Sequence, residues 1–278
     1  MYTLNCKGRM LTIDEPVVMG IINITPDSFY SGSRQQTIDS VLFQAEKMLE
    51  EGATILDIGG QSTRPGSEQI SAADEISRIK APISALHQRF PEAFISIDTY
   101  YASVAMEAVN AGASIINDIS AGTLDADMLP TVAALKVPYV LMHMQGTPQS
   151  MQVHPQYTNI TKDLLAFFIQ QRDRLKEYGI QEVIMDPGFG FGKTIEHNFQ
   201  LLQALEVFEI LQAPLLVGIS RKATIWRTLQ TSPEAALNGT TVLNTVALFK
   251  GAAILRVHDV KEAVESVKLM QALKMAKV

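Results

Sequence analysis

The sequence predicts an α/β protein, a single (β/α)8 TIM barrel with a short N-terminal hairpin, and three observations carry that prediction. Eight apolar runs alternate with longer stretches whose apolar residues fall three and four apart. Three joints repeat one order of helix, glycine and strand: Gly52-Ala53-Thr54-Ile55-Leu56, Gly112-Ala113-Ser114-Ile115-Ile116 and Gly251-Ala252-Ala253-Ile254-Leu255. Nearly every run closes on a polar or charged side chain. Runs that are apolar at consecutive positions are strands buried on both faces, as in a parallel sheet. Spacing of three and four marks an amphipathic helix, and glycine ends a helix because it tolerates the left-handed conformation. Eight such units without a Pro- or Ser-rich linker read as one barrel domain over residues 1–278 rather than two doubly wound domains. An open eight-stranded sheet is the alternative, because strand order is not written in the sequence.

The elements follow in order. Residues 1–16 hold the hairpin, between Thr3 and Ile13. The first barrel strand is Val17 to Ile24, and Val41, Leu42, Ala45, Met48 and Leu49 form the apolar face of the first helix. Strands follow at Ala53 to Asp57, Phe94 to Asp98, Ala113 to Asp118 and Val137 to Met144. After a helix faced by Leu164, Leu165, Phe168, Ile169 and Leu175 come Glu182 to Asp186, Leu215 to Ser220 and Ala252 to Val257.

Composition narrows the function classes. The formal charge is −6 and no block of basic residues occurs, so the electrostatic footprint of a nucleic-acid binder is missing. The longest apolar run, Val17 to Ile24, falls far short of the roughly 20 residues of a membrane helix, and residues 1–16 lack a signal-peptide pattern. A cytoplasmic protein without membrane or nucleic-acid partners is expected. The single cysteine, Cys6, excludes an internal disulfide framework and a cysteine-rich metal site, which leaves oxygen or imidazole for any metal.

In a barrel of this kind the C-terminal strand ends meet in one small circle, where active sites lie. They carry Asn23, Asp57, Asp98, Asn117 with Asp118, His143, Asp186, Ser220 with Arg221 and Lys222, and Arg256 with His258. Any one alone is an ordinary turn or cap residue. Together they mix carboxylates and amides, which can read a polar heterocycle, with cations that can hold an anion. His258 lies on the same side of an extended chain as Arg256 and is the histidine expected to bind an anion. His143 is as well explained by a buried core position, and His87, His154 and His197 by solvation or capping. The segment Asp186 to Thr194 fails the phosphate-loop pattern, because Pro187 stands where that motif needs glycine, and fails the dinucleotide fingerprint at Lys193. It reads as a flexible loop that brings Phe191 over a ligand. The long polar stretches Asn23 to Phe29 and Gln61 to Gly66 read as mobile lids. No Ser-His-carboxylate triad or G-x-S-x-G elbow is present.

Asn23 to Phe29, Ser62 to Gly66, Asp186 to Lys193, Ser220-Arg221-Lys222 and Arg256-Val257-His258-Asp259, in that order and spacing, resemble the signature motifs of the dihydropteroate synthase family. The resemblance implies condensation of 6-hydroxymethyl-7,8-dihydropterin diphosphate with p-aminobenzoate, with Mg²⁺ and in a homodimer. It assigns Asp98, Asn117, Asp186 and Lys222 to the pterin, and Arg256, His258 and Asn23 to the diphosphate, with Asn23 also a Mg²⁺ ligand. Thr63, Arg64, Pro65 and Phe191 match the aminobenzoate surroundings, and Met142 joins the substrate-contacting set. Arg256, His258, Lys222 and Asn23 are the residues assigned to catalysis. Two positions depart from the family pattern. Ser31 stands where an Asp is common, and Ala223 replaces a serine whose hydroxyl would meet the aminobenzoate carboxylate, an interaction of about 1.5–3 kcal/mol. Three other readings remain at this point: a pterin-binding methyltransferase serving a corrinoid partner, a non-catalytic pterin binder, and an unrelated barrel whose strand ends are caps.

Overall fold

The computed structural model describes residues 1–24, 34–61 and 69–276. Strands β1 (Tyr2–Cys6) and β2 (Arg9–Ile13) form an antiparallel hairpin. Then β3 (Val17–Asn23), β4 (Ile55–Gly59), β5 (Phe94–Asp98), β6 (Ile115–Asp118), β7 (Tyr139–Met142), β8 (Val183–Asp186), β9 (Leu216–Val217) and β10 (Ile254–Val257) make one parallel sheet. Its neighbour order is β8-β7-β6-β5-β4-β3-β10-β9. A parallel bridge between Met185 and Leu215 joins its two ends, supported by Met185 N–H donating to the Pro214 carbonyl at 2.9 Å. The sheet therefore closes into the (β/α)8 barrel, and the open-sheet alternative is excluded.

Helices α1 (Arg34–Glu50), α2 (Ala72–Arg89), α3 (Ala102–Ala111), α4 (Met128–Leu135), α5 (Ile160–Glu177), α6 (Ile195–Gln203), α7 (Ala223–Thr228), α8 (Leu237–Phe249) and α9 (Val260–Met275) surround it. The three repeated joints behave as their glycines require: φ is 103° at Gly52, 127° at Gly112 and 91° at Gly251. Capping is explicit where the sequence offers it. The Ser71 side chain accepts from Asp74 N–H at the start of α2, and Thr194 and His197 form a reciprocal box at the start of α6. His197 thus has the capping role expected of it.

Register decides which side chains face inward. Met19, Ile21 and Asn23 pair with Ile55, Asp57 and Gly59, which pair in turn with Phe94, Ser96 and Asp98. The lower layers hold Met19, Ile55, Ile115, Val140, Ile184, Leu216 and Ile254, packed as one apolar cluster with Leu4, Cys6, Leu11 and Ile13 of the hairpin. The hairpin is thus the plug of the barrel floor. Arg9 fastens it from outside, its guanidinium donating to the Pro91 carbonyl at 2.5 Å and lying over the Phe94 ring at 4.4 Å. Leu11→Ala should cost about 2–5 kcal/mol through the lost burial and the cavity left behind. A denaturation midpoint would read that loss, and an unchanged midpoint would remove the hairpin from the core.

Most strands are a residue or two shorter at one or both ends than the sequence reading, and two end elsewhere in a way that bears on the site. β4 does not stop at Asp57 but continues to Gly59, because Ile58 is also buried and the polar residue is an interior one. β9 is only Leu216–Val217. After Gly218 the chain turns, with Lys222 N–H donating to the Ile219 carbonyl at 3.2 Å and Arg221 at φ 53°, which returns Lys222 toward the barrel axis.

Candidate active site

The upper barrel is polar because β4, β5, β6, β8 and β10 each send an ionisable or amide side chain inward at their C-terminal ends. The link between them is Arg256 on β10. Its Nε donates to Asp57 Oδ2 and one terminal nitrogen to Asp98 Oδ2, each at 2.6 Å. Asn117 Nδ2 donates to the same Asp57 oxygen at 3.0 Å. Asp57 is fully buried, and its other oxygen, like Asp98 Oδ1, has no hydrogen-bond partner among the described residues. Two carboxylates therefore share one guanidinium and keep acceptor capacity in reserve.

Across the mouth, Asp186 Oδ1 accepts the Gly188 N–H at 2.7 Å. Lys222 donates to the Phe189 carbonyl and lies 4.5 Å from the centre of the Phe191 ring. Burial dominates Asp98 and Asp186. It raises the Asp98 carboxyl well above the ordinary carboxylate range, against the pull of Arg256. It raises Asp186 too, against Lys222 and the Gly188 N–H. Burial brings Lys222 down to about 8, with Asp186 opposing. Burial alone would also disfavour the Arg256 charge, but Asp57 and Asp98 more than reverse that. The result is a cluster of alternating donors and acceptors, mostly buried, that water screens only weakly.

The strand ends separate into inward and outward groups. Asp118 neighbours Asn117 in sequence but faces the helices, where it accepts from Ser120 N–H, Gly122 N–H and the Tyr139 hydroxyl at 2.7 Å each. Arg221 also leaves the chamber. Its forked guanidinium holds both Asp259 oxygens at 2.8 Å, a staple between the loops after β9 and β10. His258 Nδ1 lies 3.1 Å from Ser220 Oγ in the same pair of loops. Asn23 stands at the rim beside Gly59, its Oδ1 3.4 Å from where a Cβ on Gly59 would be. Met142 is buried with Tyr100 and Ile119, and Phe191 packs on that group as a small apolar patch apart from the main core. Tyr100 and Ile119 escaped the sequence reading. Each stands two residues past an inward polar group, Asp98 or Asn117, the spacing that keeps one face of an extended chain.

The glycine-rich segment departs from expectation. Rather than a flexible loop, Gly188 to Gly192 is a turn tied from several directions. Gly190 N–H donates to Asn198 Oδ1 at 2.7 Å, Gln152 reaches the Gly190 carbonyl at 2.6 Å, and the Tyr157 hydroxyl reaches the Gly192 carbonyl at 2.7 Å. The buried ammonium of Lys193 closes it, meeting the carbonyls of Gly188, Phe191 and His143 and the His143 Nδ1 within 2.9–3.2 Å. His143 is correspondingly a packed core histidine, held neutral by burial and the Lys193 charge with its ionisation pushed down to about 3. Thr63, Arg64 and Pro65 lie outside the described residues, as do Ser31 and the two stretches read as lids beyond Ile24 and Gln61. Ala223 opens α7.

Residues 19–258 match the family described as pterin binding enzyme. The dihydropteroate synthase of Escherichia coli (strain K12) is 41% identical over 276 residues, covering 99% of this chain and 97% of that one. The structure of the Yersinia pestis dihydropteroate synthase with a sulfonamide drug complex superposes with a TM-score of 0.92 at 41% identity, covering 99% and 100% of the two chains. That of the Xanthomonas albilineans enzyme with 4-aminobenzoic acid also gives 0.92, at 38% identity and 99% of each chain.

Proposed function

The chain belongs to the dihydropteroate synthase family of pterin-binding enzymes, and we propose that its barrel mouth performs the reaction with the residues assembled around Arg256. The enzyme is a transferase of folate biosynthesis that joins 6-hydroxymethyl-7,8-dihydropterin diphosphate to p-aminobenzoate, giving 7,8-dihydropteroate and pyrophosphate. The observation that carries the site assignment is the convergence of Asp98, Asn117, Asp186, Lys222 and Arg256 in one buried chamber, with Arg256 bonded to Asp98.

In this reading the free acceptor capacity of Asp98 and Asp186 and the Asn117 amide take the amino-pyrimidine edge of the pterin, and Lys222 takes its carbonyl side. Arg256 lies against the ring, and with His258 it holds the diphosphate. Met142 and Phe191 bound the chamber, and Thr63, Arg64 and Pro65 complete the aminobenzoate side. The bond from the pterin methylene to the diphosphate oxygen breaks, and the arylamine nitrogen bonds to that carbon from the opposite side. The amine proton passes to released pyrophosphate or water. The chain's part is to orient the two reactants and to stabilise the charge gathering on the leaving diphosphate.

For Mg²⁺ the residues fit a limited role. Among the described residues no three His, Cys, Asp or Glu side chains gather as a metal cage. A single amide oxygen, that of Asn23 at the rim, suits a hard ion whose other oxygens come from a diphosphate and water. When bound, the ion would neutralise charge on the leaving group. We further read residues 1–278 as one pterin-binding unit that works in the cytoplasm as a homodimer. The exposed Phe249 of α8 and Leu269 and Leu273 of α9 support an interface there, and no described helix is long and apolar enough to cross a membrane.

The test is pyrophosphate release from the pterin diphosphate with Mg²⁺, with and without p-aminobenzoate, while dihydropteroate is followed in parallel. Mole-for-mole appearance of both products is expected, and pyrophosphate without pteroate would overturn the aminobenzoate half. Asp186→Asn should weaken pterin diphosphate binding about 10- to 100-fold, the equivalent of one charge-assisted bond of about 1.5–3 kcal/mol. The amide oxygen can still accept from Gly188 N–H, so the melting temperature should hold. Wild-type affinity in titration calorimetry would return Asp186 to a structural role.

A further inference from the structure

Glu75, in the first turns of α2, is fully buried, and among the described residues neither carboxylate oxygen makes a hydrogen bond of good geometry, although the Thr99 hydroxyl faces it. Its side chain presses on the turn after β4, with Cγ 2.9 Å from where a Cβ on Gly60 would lie. Gly60 is therefore a glycine because Glu75 and Ile79 fill that space. The Arg78 charge offsets part of the cost of a charge on Glu75, but its guanidinium donates to the Gly60 carbonyl at 3.0 Å. From the end of β5 and just beyond come Asp98, the Thr99 hydroxyl and Tyr100. Among the described residues β4 and its turn bring Gly59, Gly60 and Gln61, and Gln61 Oε1 accepts from Ile70 N–H at 2.9 Å. On the neighbouring helices Glu46 and Glu107 are paired at the surface with Arg89 and Lys80.

A charged carboxylate met only by the Thr99 hydroxyl and the offset charge of Arg78, and buried beside a second carboxylate, is costly in a protein interior. We propose that Glu75 is a positioning residue that works as an un-ionised carboxylic acid: it backs the Gly59–Gln61 wall of the mouth without adding a negative charge beside Asp98, so that Asp98 stays committed to Arg256. Burial and the adjacent Asp98 agree with this, pushing the Glu75 acid up to about 8 from its ordinary 4.5. The inference rests on the mouth being the pterin site.

Glu75→Gln, which copies the neutral acid, separates the two readings. A carboxyl whose acidity is weakened by folding keeps its proton in the folded chain while the unfolded chain loses it. Its contribution therefore declines as pH rises from about 4.5 to about 8, and glutamine shows no such decline. The melting temperature of Glu75→Gln minus that of the wild type should widen from pH 5 to pH 8 and level off above. The kcat/KM for pterin diphosphate should agree between the two within about twofold at pH 7. It should fall about tenfold further in the wild type by pH 9, whereas Glu75→Ala, which empties the space behind Gly60, should be impaired at every pH. A melting difference independent of pH would overturn the un-ionised Glu75. A widening melting difference with superimposable kcat/KM profiles would overturn its positioning role. Were the wild type inactive, the assigned reaction would fall, and the melting series would by itself still uphold or overturn the protonation state.

Discussion

Arg256→Ala should destabilise the protein by about 3–5 kcal/mol at neutral pH and lower kcat/KM for pterin diphosphate by about 100-fold or more. The stability loss follows from what Arg256 leaves behind. Among the described residues Asp57 Oδ2 would keep only the Asn117 amide, Asp98 would lose its ion-pair partner, and the second oxygen of each is already without a hydrogen bond. Burial that now raises Asp98 against Arg256 would act unopposed by its strongest counter-charge, so the variant should recover part of its stability as pH falls and a carboxylate takes up a proton. Arg256→Lys keeps the charge but cannot reach both carboxylates from one rigid fork. It should restore much of the melting temperature and little of the turnover. Denaturation at pH 5 and pH 8, with pterin affinity by calorimetry, checks both parts. An Arg256→Ala protein as stable as wild type at pH 8, or with unchanged pterin affinity, would detach Arg256 from the site.

The barrel itself was legible because its cause is local: strands buried on both faces must be apolar throughout, and helices on a barrel carry one apolar stripe. That same property hides the direction of each side chain. A run such as Ile115-Ile116-Asn117-Asp118 has no alternation to say that Asn117 faces the chamber and Asp118 the helices; the register with Asp98 and Val140 decides it. For the same reason Asp57 read as a strand end, though β4 runs on to Gly59 and sets Asp57 deep enough to meet Arg256. The site motifs were recognisable as segments, but their mechanics come from elsewhere in the chain. Gln152, Tyr157 and Asn198 hold the glycine-rich turn, and nothing in residues 186–194 announces those partners. Glu75 was invisible for a similar reason: a glutamate early in an amphipathic helix reads as an exposed, dipole-favoured residue.

That pinned turn makes Gly188→Ala the second change with a large expected effect. Gly188 has φ 68°, where an alanine is strained, and its Cβ would stand 2.0 Å from the His143 carbonyl oxygen, a backbone atom at the end of β7. Neither side can yield cheaply. The His143 carbonyl also accepts from Lys193, and the Gly188 N–H and carbonyl serve Asp186 and Lys193. The turn must therefore move as a unit, carrying the Phe189 carbonyl and the Phe191 ring away from Lys222. Expected losses are about 3 kcal/mol or more of stability and about 100-fold in kcat/KM. Gly190→Ala is the useful contrast, because its Cβ would meet the flexible Lys222 side chain, with Cδ at 3.1 Å, although φ is 81° there too. It should cost less stability yet still disturb substrate binding through Lys222. If Gly188→Ala lowered the melting temperature and left both substrates' KM values at wild type, the turn would be a scaffold only, and Lys222 would owe its position to the chain after β9 alone.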